Sequence, residues 1–305
     1  MKLLNKFKNI KKCLLNLYFI DKIIKEQNIK SFIVQSSLIS ERIGVNSYDD
    51  EKENIIVSLT SHGKRLHEVY LTIESLLLQT LKPNKILLWL NQDLFNDENI
   101  PNLLKKQISR GVEICYYETE FRSHSKLVNT LRRYPNDVII TVDDDVIYSF
   151  DLVESLYRGY LQNKEYIYYV RGHKILFKNR VVLPYIQWIH DYKSSEASLD
   201  ILPTGVGGVL YPPGCFPNEV FNDKVFLQLT PFADDVWFRA MSLLNNVKCK
   251  QISNADLVKS NYVHIDGCQD VALSIINLDN SGNDPQIKAV FEKYGLYEKF
   301  SANNI

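Results

Sequence analysis

The sequence predicts an α/β protein in which a mostly parallel β-sheet is flanked by helices and preceded by a basic helical arm. Between residues 54 and 172, short apolar segments alternate with longer segments of helical periodicity, which is the pattern of βαβ units. Each predicted strand ends in polar residues, and open α/β sheets bind ligands beyond the carboxyl ends of their strands. The first 30 residues combine helical periodicity with many lysines.

The elements of the alternating region follow one another without a long gap. Five short segments rich in β-branched and aromatic residues are predicted strands: NIIVSL, KILLWL, VEICYY, DVIITV and YIYYVRG. Four segments with apolar residues three or four positions apart are predicted helices: HEVYLTIESLLLQTL, NIPNLLKKQISRG, SHSKLVNTLRRY and DLVESLYRGYLQN. Helical connections between strands favour a parallel sheet with right-handed crossovers.

The alternation stops after residue 172. The segments HKILFKNRVVLPYIQW, TGVGGVLYPPGCF and VKCKQI are predicted to be added strands and loops, interrupted by a helix in ADDVWFRAMSLLNN. We therefore expect a main domain of two halves between two smaller parts. These parts are an arm with its linker at residues 1–50, a first half at 51–172, a second half at 173–270, and a loop and helix at 271–305.

Charge and cysteine content argue against several classes of protein. Lys plus Arg and Asp plus Glu both total 36, so the formal net charge is zero, whereas a general nucleic-acid binder is strongly basic. The five cysteines are scattered, odd in number and never in C-x-x-C spacing, so we expect neither a disulfide framework nor a zinc knuckle. This favours a reducing, cytoplasmic setting. The apolar run CLLNLYFI is too short to span a bilayer and lacks a cleavage site.

The arm carries a local charge of +6, because its eight lysines face only Asp21 and Glu26. One interpretation is an interfacial helix at the inner face of the plasma membrane, with apolar side chains in anionic lipid and lysines at the head groups. The other interpretation is a helix docked on the protein's own core or on another subunit. The polar stretch of residues 36–54 is predicted to be a linker.

Three consecutive aspartates, Asp143, Asp144 and Asp145, follow the predicted strand DVIITV. Adjacent carboxylates repel each other and lose hydration, so the cluster is costly unless positive charge lies beside it. If strand alternation continued, Asp143 and Asp145 would lie on one side, about 6–7 Å apart. Mg²⁺ or Mn²⁺ would cancel the repulsion, since these ions take oxygen ligands and keep positions for substrate phosphates. The alternative is a solvated turn, because aspartate is common at strand ends.

A second acidic pair, Asp234 and Asp235, opens the predicted helix ADDVWFRAMSLLNN. A carboxylate held at a helix start can take the proton of a hydroxyl group, which is general base catalysis. The alternative is N-capping, in which aspartate accepts hydrogen bonds from free backbone amides of the first helical turn.

The order of these motifs resembles that of the GT-A-fold glycosyltransferases, and is closest to the family-2-like bacterial enzymes that build surface polysaccharides such as lipopolysaccharide and capsule. The similarity runs from residue 54 to about residue 270. It rests on TSHGKR after the first strand, NQD after the second, SHSK at a helix start, and then VDDD and ADDVW. It implies a GT-A fold whose first half binds the nucleotide and whose second half faces the acceptor.

The resemblance also implies roles for individual residues. The implied donor-binding residues are Thr60, Ser61 and Asn91 at the base, Arg65 and Lys126 near the base and diphosphate, and Asp143 and Asp144 at the ribose and donor sugar. The implied metal ligands are Asp145 and His264, and the implied base is Asp235 with Asp234 as its neighbour. Asn91 departs from the family pattern, where aspartate is usual, and the pair Asp234–Asp235 replaces the common Glu-Asp.

Glycines and aromatic residues of the second half allow two interpretations each. Gly207 and Gly208 in TGVGGVLYPP could let the backbone approach the donor sugar closely, or they could belong to a strand and turn before Pro212 and Pro213. Five aromatic residues could stack on sugar rings or fill the core: Tyr185, Trp188, Tyr192, Tyr211 and Trp237.

We therefore expect a metal-dependent, inverting glycosyltransferase, with Mn²⁺ or Mg²⁺ as cofactor. It would move a sugar from a uridine-linked nucleotide diphosphate to a glycan or lipid-linked glycan acceptor. A metal-dependent phosphotransferase or nucleotidyltransferase is an alternative, because these enzymes also cluster aspartates on α/β sheets, although the sequence has no P-loop motif. A non-catalytic binder of glycans or nucleotide sugars is a third interpretation.

Overall fold

The computed structural model describes residues 2–265 and 282–300, with side chains from residue 20 onward. The side chain of Cys13, all of Cys268, and residues 271–281 of the loop and helix predicted at 271–305 therefore lie outside the described part. The helices are α1 Lys2–Ile39, α2 Val69–Leu77, α3 Asn102–Ile108, α4 Ser125–Arg133, α5 Leu152–Gln162, α6 Asp223–Leu229, α7 Asp234–Leu244, α8 Ala255–Lys259 and α9 Asn283–Tyr294.

The strands are short, as expected for an α/β protein. They are β1 Ile55–Thr60, β2 Lys85–Asn91, β3 Val112–Tyr117, β4 Val138–Thr141, β5 Val146–Ile147, β6 Ile167–Tyr169, β7 Gly172–Lys174, β8 Phe177–Lys178, β9 Val181–Val182, β10 Ile201–Pro203, β11 Val209–Tyr211, β12 Cys249–Gln251 and β13 Val263–His264.

The central sheet has the strand order β12-β6-β11-β4-β1-β2-β3. Its neighbours pair in parallel except that β11 runs antiparallel to both β4 and β6. The predicted α/β class, with a mostly parallel sheet flanked by helices, is confirmed. The antiparallel position of β11 was not predicted, because its three residues carry no signal of direction or of partner.

Both faces of the sheet are buried, which explains why its strands are apolar runs. Val57 of β1 is registered between Ile86 and Ile140, and all three side chains face one core together with residues of α2, α3, α5 and α8. The opposite face is covered by α4, α7 and α9, whose Leu127, Trp237 and Val290 are fully buried.

The chain changes direction at β1. From β1 it adds β2 and β3 on one side, and then returns to place β4 on the other side of β1. Such a switch point leaves a crevice beyond the carboxyl ends of the two central strands, because their connections leave in opposite directions. The segments TSHGKR and VDDD follow β1 and β4, so the topology brings these two motifs to one crevice.

The N-terminal helix and the segment after it pack on the body. Residues 36–54, predicted to be a linker, begin within α1, and Ser36 and Ser37 are buried. The Gly44 amide donates to the Arg110 carbonyl at 2.9 Å. A Cβ at Gly44 would lie 2.4 Å from the Leu77 side chain, so glycine permits this close approach. Among the described residues, no helix is long and apolar enough to cross a membrane.

A buried ionic cluster joins α1 and α2 to the end of α3. Arg110 donates to both carboxylate oxygens of Glu74, at 2.7 and 3.0 Å, and the two side chains are 1% and 0% exposed. The Ser36 hydroxyl donates to Glu74 at 2.6 Å, and the Gln107 amide donates at 3.0 Å. Such a pair is stable only while every member is bonded, because each charge has lost its hydration.

We expect Glu74→Gln to lower the free energy of unfolding by about 3–5 kcal/mol, since Arg110 would keep a buried charge without a counter-charge. Urea unfolding measures the loss. The matched control is Glu154→Gln, which breaks the exposed Glu154–Arg158 pair and should cost at most about 1 kcal/mol. Equal losses for the two variants would contradict this assignment.

Candidate functional site

Five elements bring their ends to the switch-point crevice. The aspartate triplet occupies the turn between β4 and β5, and Thr60 and Ser61 end β1. Lys126 is the second residue of α4, and Asp234 and Asp235 are the first two residues of α7. Gly205 lies in the turn before β11. Residues that are up to about 175 positions apart in the sequence therefore meet at one edge of the sheet.

Lys126 lies at the centre of the site. Its Nζ is 2.6 Å from Asp143 Oδ1 and 3.2 Å from Asp234 Oδ2, and its side chain is 5% exposed. Burial alone would lower the Lys126 pKa, but the attraction of Asp143, Asp234 and Asp235 outweighs it and raises the pKa well above its usual value. Lys126 is therefore a permanent buried cation among carboxylates.

Arg65 provides the second positive charge. Its Nη1 donates to Asp144 Oδ1 at 2.8 Å, and its Nη2 lies 3.6 Å from Asp145 Oδ2. The repulsion within the triplet is thus offset by the protein's own cations. The expected strand alternation at Asp143 and Asp145 is wrong, because β4 ends at Thr141 and the aspartates lie in a turn.

The negative charge around Asp145 is only partly offset by Arg65. Burial, together with repulsion by Asp143 and Asp144, raises the Asp145 pKa to about 6, although Arg65 opposes the shift. A divalent cation placed here would relieve that repulsion.

The surroundings of Asp234 and Asp235 shift the pKa values of these two residues in opposite directions. Burial and the neighbouring Asp234 raise the Asp235 pKa to about 8. Burial acts on Asp234 too, but Lys126 holds the pKa of Asp234 below its usual value. Two carboxylates whose pKa values are pushed apart are typical of acid–base assignments in active sites.

Neither aspartate caps α7, so the N-capping interpretation is wrong. The cap position is Ala233, and no side chain hydrogen-bonds to the first turn. Asp235 instead accepts the Gly205 amide proton, with both carboxylate oxygens 3.1 Å from the nitrogen. The carboxylate is therefore oriented by the opposite wall of the crevice.

The residues predicted at the nucleotide base lie at the ends of β1 and β2. The Thr60 hydroxyl donates to the Trp89 carbonyl at 2.9 Å, and the Asn91 amide donates to Glu120 at 3.0 Å. The Ser61 hydroxyl is buried and has no hydrogen-bond partner among the described residues. Ser61 is the member of this group with an unused polar atom.

The predicted metal ligands lie on adjoining strands. β13 pairs with β5, so that His264 is opposite Val146, and the Ile265 amide donates to the Asp145 carbonyl at 2.9 Å. The His264 side chain is exposed. In the described part of the chain, no three His, Cys, Asp or Glu side chains form a metal cluster. Asp145 fits a cation that takes most of its ligands from substrate phosphates and water, as Mg²⁺ usually does.

The glycine segment before β11 is both a turn and a strand start. Gly207 lies against the Arg171 backbone, where a Cβ would be 2.8 Å from the Arg171 nitrogen, and Gly208 has a φ of +84°. These features explain on structural grounds why glycine occupies positions 207 and 208. A role of the two glycines in donor binding stays a prediction. Gly205 was missed, although a Cβ there would lie 2.9 Å from Lys126 Nζ and 3.1 Å from Asp143 Oδ1.

Two tyrosines that sequence reasoning also missed hold this segment. The Tyr148 hydroxyl accepts the Asp143 amide proton at 2.9 Å and donates to the Val206 carbonyl at 3.3 Å. The Tyr262 hydroxyl donates to the Gly207 carbonyl at 2.7 Å. No sequence signal distinguishes these two tyrosines from the other sixteen.

The five aromatic residues considered for sugar stacking belong to the core. Four are at most 8% exposed, and Tyr192 packs against the same cluster. The four buried residues are Tyr185, Trp188, Tyr211 and Trp237.

No protein-family model matches the sequence, and no curated protein matches it. Among solved structures, GalNAc-T7 with UDP, GalNAc and Mn²⁺ is 13% identical over 90% of this chain, with a TM-score of 0.44. The chain spans 57% of that protein.

Two further solved structures are similar. A putative glucose-1-phosphate thymidylyltransferase from Bacillus anthracis in complex with a sucrose is 14% identical, with 69% of this chain and 94% of that chain covered and a TM-score of 0.35. UTP-bound UGPase from Acinetobacter baumannii is 11% identical, with 66% and 87% covered and a TM-score of 0.34. At these scores, the similarities carry no inference about activity.

We expect Lys126→Met to lower the free energy of unfolding by about 3–5 kcal/mol, because Asp234 would become a buried charge without a cation and the partly exposed Asp143 would lose its ion pair. Adding Asp234→Asn to Lys126→Met should recover part of this loss, since it removes one of the stranded charges. Urea unfolding of the two single variants and the double variant at pH 7 gives the coupling energy. Additive losses would show that Lys126 and Asp234 do not stabilise each other.

Proposed function

We propose that this protein is a glycosyltransferase of the GT-A type that uses a nucleotide diphosphate sugar as donor. The observation that carries the proposal is the meeting of the Asp143–Asp145 triplet with Asp234 and Asp235 at the switch point of a mostly parallel sheet. One acidic group lies on the nucleotide side and the other across the crevice. This division suits a reaction with a phosphorylated leaving group and a hydroxyl nucleophile.

The nucleotide occupies the side formed by β1 and β4. Ser61 offers an unused buried hydroxyl there, and Arg65 and Lys126 supply positive charge beside the triplet. Asp143 and Asp144 face the ribose and donor sugar, where carboxylates accept hydroxyl protons. In the same proposal, the donor position is lined by Thr60, Asn91, Gly207 and Gly208. We propose a uridine-linked donor.

Asp235 acts as the general base. Its carboxylate is aimed across the crevice by the Gly205 amide, and its pKa lies well above that of Asp234. A base of this pKa removes the acceptor proton while that oxygen attacks the anomeric carbon on the side opposite the leaving diphosphate. The product therefore has inverted configuration. General base catalysis of this kind contributes about 10²–10⁴-fold.

Asp145 holds a divalent cation in this proposal, with His264 on the adjoining strand as the second protein ligand. Such an ion offsets the negative charge that develops on the departing nucleotide diphosphate.

The family and cellular role follow from the sequence resemblance. We propose a family-2-like enzyme of bacterial polysaccharide biosynthesis, acting on a lipopolysaccharide or capsule precursor at the cytoplasmic face of the membrane. The acceptor is a glycan or a lipid-linked glycan.

Nucleotide release from uridine-, guanosine- and cytidine-linked sugars tests the proposed activity. We expect uridine diphosphate release that a chelator abolishes and that Mn²⁺ or Mg²⁺ restores. Asp235→Asn and Asp145→Ala should each lower the rate about 100-fold or more. The matched control is Glu154→Gln at a partly exposed site on α5. Pyrophosphate release would instead indicate a nucleotidyltransferase, and binding without any release would indicate a non-catalytic protein.

The pH profile tests the role of Asp235 separately. Because the base must be deprotonated and its pKa is about 8, kcat/KM should rise tenfold per pH unit below pH 8 and level off above it. Steady-state rates of nucleotide release from pH 6 to pH 9.5 give this profile. A profile that is flat between pH 6 and pH 8, or one that Asp235→Asn leaves unchanged, contradicts the assignment.

We also propose that α1 lies on an anionic membrane surface. Ile20, Ile23 and Ile24 are each more than half exposed, next to the lysine-rich first turns of the helix. Exposed apolar residues with neighbouring lysines are typical of interfacial helices. The second half of α1 is different, because Ile33 and Ser36 are buried in the body.

A chain lacking residues 1–19 should keep its fold and lose co-sedimentation with vesicles that contain 30% phosphatidylserine. Replacing Ile20, Ile23 and Ile24 with serine should weaken sedimentation, while Leu94→Ser, at an equally exposed residue outside α1, should not. Pure phosphatidylcholine vesicles serve as the charge control. Unchanged sedimentation of the shortened chain would favour the docked-helix interpretation.

A further inference from the structure

Arg171 is linked to Asp235, the proposed base, through Thr204 and Gly205, and it belongs to none of the motifs identified in the sequence. It follows β6, and its carbonyl accepts the Thr204 amide proton at 3.0 Å and the Thr204 hydroxyl proton at 3.3 Å. Thr204 precedes Gly205, whose amide orients Asp235. The close packing of Gly207 on the Arg171 backbone fixes this position further.

The guanidinium of Arg171 is unlike the other central cations. Lys126 and Arg65 each pair with aspartates, whereas no hydrogen bond or ion pair engages the Arg171 side chain within residues 20–265 and 282–300. Arg171 is nevertheless partly buried. A partly desolvated charge without a partner costs free energy, which an anionic ligand would recover.

The Tyr185 hydroxyl is a second polar group near Arg171 that has no hydrogen-bond partner among the described residues. Tyr185 is 8% exposed. The Tyr185 ring packs on His173, which follows Arg171 by two residues. Burial raises the Tyr185 pKa, and the charge of Asp235 raises it further. The phenol therefore remains a neutral hydrogen-bond donor.

Packing holds the Tyr185 ring in position. Its centroid is 5.0 Å from that of Trp188, 5.1 Å from that of His190 and 5.7 Å from that of His173. The Tyr185 amide donates to Asp284 at 2.7 Å, which ties this turn to α9. A polar group fixed by such packing is preorganised for a ligand.

We propose that Arg171 and Tyr185 form an acceptor subsite that selects an acceptor sugar bearing an anionic group, either a carboxylate or a phosphate. This inference rests on the proposed function, since it assumes that Asp235 faces the acceptor. The planar guanidinium binds carboxylate or phosphate oxygens through two parallel hydrogen bonds, and the phenol donates a third. The backbone of Arg171 is linked to Asp235 through Thr204 and the Gly205 amide.

The experiment measures binding, so that it does not depend on turnover. Methyl β-D-glucuronide, glucose 6-phosphate and methyl β-D-glucoside are titrated into the wild-type chain in the presence of uridine diphosphate and Mn²⁺, and ligand-observed NMR gives each Kd. The first two probes separate a carboxylate from a phosphate, and the third is the neutral control. The same titrations are made with Arg171→Gln, Arg171→Lys and Tyr185→Phe. Arg158→Gln, at an exposed arginine on α5, is the matched control.

We expect the wild type to bind at least one anionic probe 10-fold or more tightly than the glucoside. Arg171→Gln should reduce this ratio to about one, and Tyr185→Phe should reduce it about threefold. Arg171→Lys should keep part of the preference, because it retains the charge but not the paired hydrogen bonds. Arg158→Gln should leave the ratio unchanged.

Three results would overturn the inference. These are equal wild-type affinity for all three probes, a preference that survives Arg171→Gln, and a loss confined to uridine diphosphate affinity, which would place Arg171 at the donor. Thermal melting of each variant separates these outcomes from misfolding. Failure of the proposed function has a different signature, namely no nucleotide release from any donor by the wild type.

Discussion

The ion pairs of Lys126 are the interaction on which the rest of the site depends. Asp143 comes from the turn after β4 and Asp234 from the start of α7, so one buried ammonium joins the first half of the chain to the second. Without that cation, the carboxylates would repel each other across the crevice in a medium that screens charge poorly. The position of Lys126 on the first turn of α4 is fixed in turn by β1, because the Ser58 hydroxyl donates to its carbonyl at 2.6 Å.

The same cation separates the two acids of α7. Asp234 is within 3.2 Å of Lys126 and stays ionised, and its negative charge then adds to the burial that keeps a proton on Asp235. Lys126 therefore keeps Asp234 ionised, whereas the adjacent Asp235, with a pKa of about 8, can take up and release a proton. A glutamate in place of Asp234 would add one methylene and move its carboxylate relative to Lys126, so the 3.2 Å contact with Lys126 depends on aspartate at this position.

The sequence was sufficient for the fold class because the β/α alternation is a local signal. NIIVSL, KILLWL, VEICYY and DVIITV all became neighbouring strands, and their polar ends met as the switch-point rule requires. The direction of β11 and the pairing of β5 with β13 were beyond sequence reasoning, since two or three residues contain no periodicity. The candidate site was predictable where charged residues repeat, as in Asp143–Asp145 and Asp234–Asp235.

Other parts of the site have no such pattern. The cation that balances Asp143 is Lys126, which is 17 positions away, and only the tertiary structure shows that this lysine serves the triplet. The expected cation was therefore partly supplied by the protein itself. Gly205 and Tyr148 were missed because their contributions are a backbone amide and a buried hydroxyl, neither of which depends on a repeating residue type.

The reversed direction of β11 has a consequence for how the two halves communicate. In a sheet of otherwise parallel strands, the segment that leads into a reversed strand emerges at the same edge as the segments that leave its neighbours. Residues 204–208 therefore lie beside the aspartate turn, where a Cβ at Gly205 would be 3.1 Å from Asp143 Oδ1. Because the Gly205 amide bonds both carboxylate oxygens of Asp235, a displacement of residues 204–208 would also change the orientation of that carboxylate.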